Sequence, residues 1–563
     1  MLRIALYQMN SWMGAFARNE NKILEKLDEA SEASVDLALF PEFSICAYPP
    51  EDLIFRHDFR EACEQSLDNI VKKMPKTLYA LVSYPRKSGQ NYYNSAALIS
   101  RGQIHAYYDK IALPNYGVFD EKRIFSAGEK SLIIDLGSYR LGLQVCEDSW
   151  EKHSAAFTNY QGQRLDAMLN LSASPFHKTK NEQRQKVLST LYKQFKCPVF
   201  YVNCVAGQDE LIFDGRSKIY DPKSNIDLEA KFLAEDTLFF DLENKKEGSQ
   251  LSPVDQSRLK TISLEVLSEQ TKAPLKAFAA KQSIDESETL YKAAVYAIAE
   301  YFEKNKQTKA VVAVSGGIDS ALVCAMTVEA LGPENVQAFT MPSQYNSKET
   351  LADSHLLAKN LGIVIKEISI QDMYLNTKAL MTSALGTDLK DLTMQNIQAR
   401  SRALLLMAFA NQSQALVMNT GNKSEIATGY CTLYGDMVGA FAPLKDLLKT
   451  QVYELARHLN KNKEIIPWSI INREPTAELK DEQKDQDTLP EYSHLDRFIM
   501  AYVENDLCIE EIMKLGFERE EVKTLIALIE RAEFKRRQAP PGPKLSKRAF
   551  GRDRRYPLSL SLS

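Results

Sequence analysis

Residues 311–323, VVAVSGGIDSALV, run from a valine-rich stretch through two glycines and an aspartate into a second apolar stretch. A strand, a glycine turn and a helix start in that order make an anion site, because backbone N–H groups converge there and the helix dipole favours negative charge. The common phosphate loop, GxxxxGK followed by Ser or Thr, adds a lysine. Here Ser315, Gly316, Gly317, Ile318, Asp319 and Ser320 form a shorter turn that carries an acid instead, which suits a phosphate if Mg2+ stands between the two. On residue types alone, a tight strand-to-helix turn accounts for the glycine pair equally well. Three further segments carry reactive side chains. LFPEFSI puts Glu42 just after an apolar run, YYDKIALPNYGVFDE puts Lys110 after another, and LGLQVCEDSW puts Cys146 at the end of a third. Side chains at the ends of buried strands can converge in one cleft. The chain has no GxSxG, so a serine nucleophile is not suggested.

The elements that must position these residues fall into two halves. Residues 1–242 alternate short strand-like runs (RIALYQM, DLALFPE, LYALVSYP, LGLQVCED, AMLNLSA, PVFYVNCVA) with polar connections. Two stretches, ARNENKILEKLDEASEA and KTKNEQRQKVLSTLYKQF, repeat apolar residues at helical spacing, which predicts a layered α/β unit. Residues 243–275 are polar and weakly periodic and read as a linker. Residues 276–563 open on a long helix, DESETLYKAAVYAIAEYFEKN, and then alternate strand and helix patterns, which predicts a doubly wound parallel sheet. At 563 residues the chain is too long for one ordinary core, in keeping with two domains. A net charge of −4 gives no overall pull toward nucleic acid, and no run approaches the length of a membrane span. The eight cysteines lack CxxC spacing, which fits neither a disulfide scaffold nor a zinc knuckle, and the expected setting is cytoplasmic.

SGGIDS after a valine-rich strand closely resembles the signature of the ATP pyrophosphatase superfamily, whose members cleave ATP between the α- and β-phosphates. The resemblance implies adenylylation, with AMP handed to a substrate. NIQARSRALLLMAFAN, NTGNKSEIATGYCTLYGDMVGAFAPLKDLLKTQVYELA and REPTAEL are similar to the corresponding stretches of the NAD synthetase family, in the expected order across most of 285–557. That likeness implies Mg2+ ligation by Asp319 and Glu425, and contacts to ATP as co-substrate from Ser315, Gly316, Gly317, Asp319, Ser320, Thr420, Lys449 and Thr476. It further implies recognition of deamido-NAD by Asn396, Arg400, Glu425, Asp436 and Lys535. Singly, several of these residues have plainer explanations: Glu425 lies near a helix start, where an acid is favoured anyway, and Arg400 sits on a helix that water could solvate.

An amidating domain needs neutral ammonia, and a second domain releasing it from glutamine would supply it. Glu42, Lys110 and Cys146, in this order and context, resemble the nitrilase or carbon–nitrogen hydrolase superfamily over residues 1–242, which implies an α-β-β-α sandwich. On that resemblance Cys146 forms a thioester with the carboxamide, Glu42 carries the proton, and Lys110 holds the oxyanion and favours the thiolate. Tyr116, Glu121, Ser172 and Lys178 match the region that holds the amino-acid end of glutamine. The C-terminal FKRRQAPPGPKLSKRAFGRDRRYPL crowds basic residues among prolines and aromatics; it reads as an ordered strap rather than a nucleic-acid arm. The expectation is an enzyme of small-molecule substrates, binding neither nucleic acid nor membrane, self-assembled as a homo-oligomer, with an enclosed passage for ammonia.

Overall fold

The computed structural model describes residues 1–243, 256–267, 272, 275, 284–476, 478–480 and 484–560. The chain forms two compact units, Met1–Gln208 with Ile212–Ser283, and Asp209–Leu211 with Ile284–Ser563.

The first unit is a sandwich of two mixed sheets. One sheet has the order Asp236–Leu242, Leu2–Gln8, Leu37–Leu39, Tyr79–Ser88, Asn91–Ser100, Gln103–Asp109. The other runs Ile226–Glu229, Lys218–Asp221, Val199–Asn203, Ala167–Ser172, Tyr139–Val145, Ser131–Leu136, Leu259–Leu264. Leu2, Ile4, Leu6, Leu37 and Leu81 of the first sheet pack with Leu141, Leu143, Leu169, Leu171 and Phe200 of the second in one core. Helices cover the outer faces. His57–Lys73 packs on strand Tyr79–Ser88 and on helix Phe16–Glu32, which buries Ile23, Leu27 and Ala30. On the other side, helix Lys180–Phe195 turns Leu188, Leu191 and Phe195 onto Met168, Val199 and Tyr201. With both faces covered, Leu2–Gln8 is buried at every position, which is why it reads as a nearly continuous apolar run. The expected α-β-β-α layering is present. The stretch read as a linker differs from expectation where it is described: Leu259–Leu264 pairs in parallel with Ser131–Leu136 as an edge strand. Its alternating half-exposed pattern supplies too little apolar character to stand out among polar neighbours. The rest of 243–275, apart from residues 243, 256–258, 265–267, 272 and 275, lies outside the described residues, as do 276–283 at the head of the expected second domain.

The second unit has a four-stranded, wholly parallel sheet, ordered Ile365–Glu367, Val336–Thr340, Ala310–Ala313, Leu416–Met418. Chain order therefore reverses at Ala310–Ala313, and the switch point of such a sheet is where ligands settle. Val311, Phe339 and Val417 of the sheet pack against Leu406 and Ala410 of helix Asp391–Ser413. A helical annex built around Leu495, Phe498, Ile512, Val522 and Ile529 closes over Phe550 near the C-terminus.

Candidate functional sites

In the first unit, strand Tyr139–Val145 ends directly on Cys146, which takes a left-handed φ of 44° and is 5% exposed. Such a turn stores backbone strain and breaks the strand so that the next side chain is presented at its end. Asp148 holds the turn: its buried carboxylate accepts from the N–H groups of Val145 (2.9 Å), Ile111 (3.1 Å) and Ala112 (2.7 Å) and from the Tyr108 hydroxyl (2.7 Å). One carboxylate thereby joins the strand end that carries Cys146 to the segment that carries Lys110. Burial pushes Asp148 up to about 6, against these hydrogen bonds, which favour its charged form.

The buried Lys110 ammonium donates to Glu42 Oε1 (2.9 Å) and Glu121 Oε1 (2.8 Å). Burial opposes its charge, and the two carboxylates more than offset that and raise its pKa. Glu42 also accepts from Asn94 Nδ2 (2.6 Å) and from the Ala173 N–H (2.9 Å), and Glu121 from the Tyr48 hydroxyl (2.9 Å). Burial carries Glu121 up to about 7, although Lys110 pulls it down. The Cys146 thiol is raised by burial and by Glu42, with Lys110 working the other way.

The expected glutamine contacts divide. Tyr116, 57% exposed, donates to both carboxylate oxygens of Glu147 (3.1 and 3.0 Å). Glu121 lies in the Lys110 cluster, and Ser172 is fully buried with its hydroxyl on Asn170 Oδ1 (2.5 Å). Lys178 is half-buried, and Lys180, two residues on, also interacts electrostatically with Cys146 and Glu147. Its ammonium stands 3.7 Å over the Trp150 ring, and burial brings its pKa down to about 8.

In the second unit the turn after Ala310–Ala313 leads into helix Ile318–Leu331, capped by Gly317. Gly316 has φ 84°, and a Cβ there would lie 2.5 Å from the Thr350 carbonyl oxygen, so only glycine fits. The Ser320 hydroxyl ties the turn by donating to Gly317 O (3.0 Å) and accepting from the Ser315 N–H (3.2 Å). Asp319 accepts from Asn422 Nδ2 (2.8 Å) and from Lys449 Nζ, which also donates to Glu425 Oε1 (3.1 Å). Burial pushes Glu425 up to about 7 despite Lys449, with Asp319 and Asp485 adding to the rise.

A cavity of about 290 Å³ opens on this cluster, and every residue expected to contact ATP lines it, together with Glu425 and Asp436. Phe339, Met341, Leu406 and Val417 supply apolar walls. Asn396, Arg400 and Lys535 are not among its lining residues. They gather instead on one loop: Asn396 accepts from the Thr432 hydroxyl (2.8 Å), Arg400 donates to Leu433 O (3.1 Å), and Lys535 donates to the carbonyls of Gly429 and Cys431 (2.7 Å each). Asp436 joins them through the Thr432 N–H (2.6 Å). Sequence reasoning missed Arg402, Arg473 and Asp485, all in the cavity wall. Arg402 is two residues past Arg400 on one helix, and positions two apart do not share a helix face, so Arg402 faces the cavity while Arg400 reaches the Leu433 carbonyl.

The carboxylates of Asp319 and Glu425 converge on a single cationic centre, the Lys449 ammonium, and their oxygens are of the hard type Mg2+ takes. The donor chemistry of these two residues therefore fits a magnesium ion.

Residues 3–248 match the carbon–nitrogen hydrolase family and residues 290–539 the NAD synthase family. The glutamine-dependent NAD(+) synthetase of Thermotoga maritima is 38% identical over 569 residues, covering 99% of this chain and 98% of that protein. That of Aquifex aeolicus is 39% identical over 566 residues, covering 99% of each. Among solved structures, the glutamine-dependent NAD+ synthetase from Acinetobacter baumannii, in complex with ADP, superposes with a TM-score of 0.75 at 34% identity, covering 99% of this chain and 98% of that one.

Proposed function

The chain belongs to the glutamine-dependent NAD(+) synthetases, and from that premise we propose how its two units divide the work. The chain is a ligase that makes NAD with glutamine as nitrogen donor. In the first unit the Cys146 thiol gives its proton to Glu42 as sulfur attacks the glutamine carboxamide. Lys110 holds the oxyanion, ammonia leaves with the returned proton, and water then cleaves the thioester to glutamate. Glu121 is assigned to Lys110, keeping it charged and aimed. The pocket end of glutamine is assigned to Tyr116, Glu147 and Lys180.

In the second unit ATP occupies the cavity with its phosphates on the Ser315–Ser320 turn. The carboxylate oxygen of deamido-NAD attacks the α-phosphorus, pyrophosphate leaves, and ammonia then attacks the acyl carbon and expels AMP. Magnesium, held by Asp319 and Glu425, neutralises phosphate charge when bound. Lys449 neutralises the charge that builds on departing pyrophosphate. The observation that carries this reading is the buried Lys449 ammonium between Asp319 and Glu425 at the head of the glycine turn.

Self-association is supported by apolar side chains left in water on two helices: Leu375, Leu380 and Leu385 on Gln371–Leu385, and Leu392, Leu404 and Met407 on Asp391–Ser413. All eight cysteines are free, as suits a reducing compartment, and no helix among the described residues is long and apolar enough to cross a membrane.

A pair of variants tests the division. Cys146→Ala abolishes glutamine-driven NAD formation and leaves synthesis from ammonium salt, and Asp319→Ala abolishes both. Glutamine-driven turnover in the first variant, or ADP in place of AMP as product, overturns the scheme.

A further inference from the structure

Lys423 belongs to neither site, yet it stands in the middle of the segment that builds the second one. Its neighbours in sequence turn toward Asp319 and Lys449. Asn422 donates to Asp319 (2.8 Å), Ser424 accepts from the Lys449 N–H (2.9 Å), and Glu425 accepts from the Lys449 ammonium (3.1 Å). Lys423 turns elsewhere and is fully buried. Its ammonium donates to Glu504 Oε1 (2.7 Å), Ser546 Oγ (2.8 Å) and the Arg548 carbonyl (3.1 Å), and pairs with Asp446 Oδ1 at 2.8 Å.

Two of those partners lie in the C-terminal strap, and a third grips it. Asp446 accepts from the N–H groups of Leu545 and Ser546 (2.7 Å each) and from the Ser546 hydroxyl (2.9 Å). Further charges of the strap are matched too: Lys544 to Asp553, Arg554 to Glu530 and Arg548 to Asp506. A buried ion cluster of this kind is a poor source of stability, since apolar residues of the same shape do as well, and a useful source of register.

We propose that Lys423 is a positioning residue through which the docked strap, residues 540–554, fixes the backbone that presents Asn422 and Glu425 to the cation and phosphate end of the cavity. The inference rests on the synthetase reading of that cavity. The strap thereby acts on ATP chemistry without touching ATP.

The test uses full-length protein carrying Ser546→Ala, which removes one acceptor from the ammonium and one donor to Asp446, with Ser546→Thr as the conservative control. Mn2+ binding in the presence of a non-hydrolysable ATP analogue is read by electron paramagnetic resonance, alongside ammonium-driven synthesis. The expected result is weaker Mn2+ binding and a kcat lower by about tenfold, the worth of one hydrogen bond to a charged group, with KM for ATP changing less and with Ser546→Thr restoring both. Should Ser546→Ala not fold, Glu504→Gln takes its place with the same readouts. Unchanged Mn2+ affinity and kcat in a folded variant overturn the proposal, and so does a loss of activity with Mn2+ binding intact. Failure of the unaltered protein to bind Mn2+ with the analogue overturns the synthetase reading instead.

Discussion

Lys110→Met keeps most of the side chain's length and removes its charge. In the intact protein the ammonium lies 2.9 Å from Glu42 and 2.8 Å from Glu121, and none of the three side chains is more than 4% exposed. The variant leaves two carboxylates whose facing oxygens are less than about 6 Å apart, where unit charges at an effective dielectric constant of about 20 repel by about 3 kcal/mol. Together with the cost of an uncompensated buried charge, the expected loss is about 3–5 kcal/mol. For a unit of this size that lowers the melting temperature by about 10 °C. The pH dependence has a definite sign. A carboxyl whose folded pKa exceeds its unfolded value loses stability as pH climbs from the unfolded value to the folded one. Glu121, raised from 4.5 to about 7 by burial, already behaves so, and Lys110 is the largest influence holding it down. Without Lys110 its folded pKa rises further, so the gap between variant and parent widens from pH 6 to pH 8. Scanning calorimetry at pH 6, 7 and 8 measures it, with Lys110→Met/Glu121→Gln recovering part of the loss at pH 8. Equal melting temperatures at pH 8, or a gap that narrows as pH rises, refutes the reasoning.

Gly316→Ala combines a left-handed φ with a 2.5 Å clash on Thr350 O and is expected to cost about 2–4 kcal/mol and abolish ammonium-driven synthesis, whereas Gly362→Ala, left-handed but with open space around it, costs about 1 kcal/mol; chemical denaturation compares them. Lys180→Gln raises KM for glutamine and leaves ammonium-driven synthesis unchanged. Because the folded pKa of Lys180 is about 8, KM for glutamine in the parent climbs above that pH as the ammonium is lost, and steady-state kinetics between pH 7 and 9.5 should find that climb missing in Lys180→Gln. If the apolar faces of helices Gln371–Leu385 and Asp391–Ser413 mediate self-association, Leu380→Lys/Leu404→Lys shifts the sedimentation coefficient toward that of a single chain.

What could be read beforehand was what is local. The glycine turn, its acid, and Cys146 at a strand end each announce themselves within a dozen residues, because the backbone geometry they need restricts residue type on the spot. Glu425 and Lys449 came with them through motif likeness. Choices between near neighbours were harder. Arg400 and Arg402 differ by two positions, and which of the pair lines the second unit's cavity depends on how their helix is rotated. Least legible were groups defined by distant partners. Asn94, Asp148 and Lys423 are ordinary polar residues in sequence, and only chain crossings 52, 37 or 81 residues long, joining Asn94 to Glu42, Ile111 to Asp148 and Lys423 to Glu504, make them part of a buried network.

Strand Leu259–Leu264 has a practical corollary for anyone separating the two activities. A fragment stopped at residue 242 would strip Ser131–Leu136 of its outer neighbour and leave a row of unsatisfied amides along an apolar strand, an invitation to intermolecular pairing. A free-standing hydrolase should be cut beyond residue 267, so that the protein carries its own selvedge.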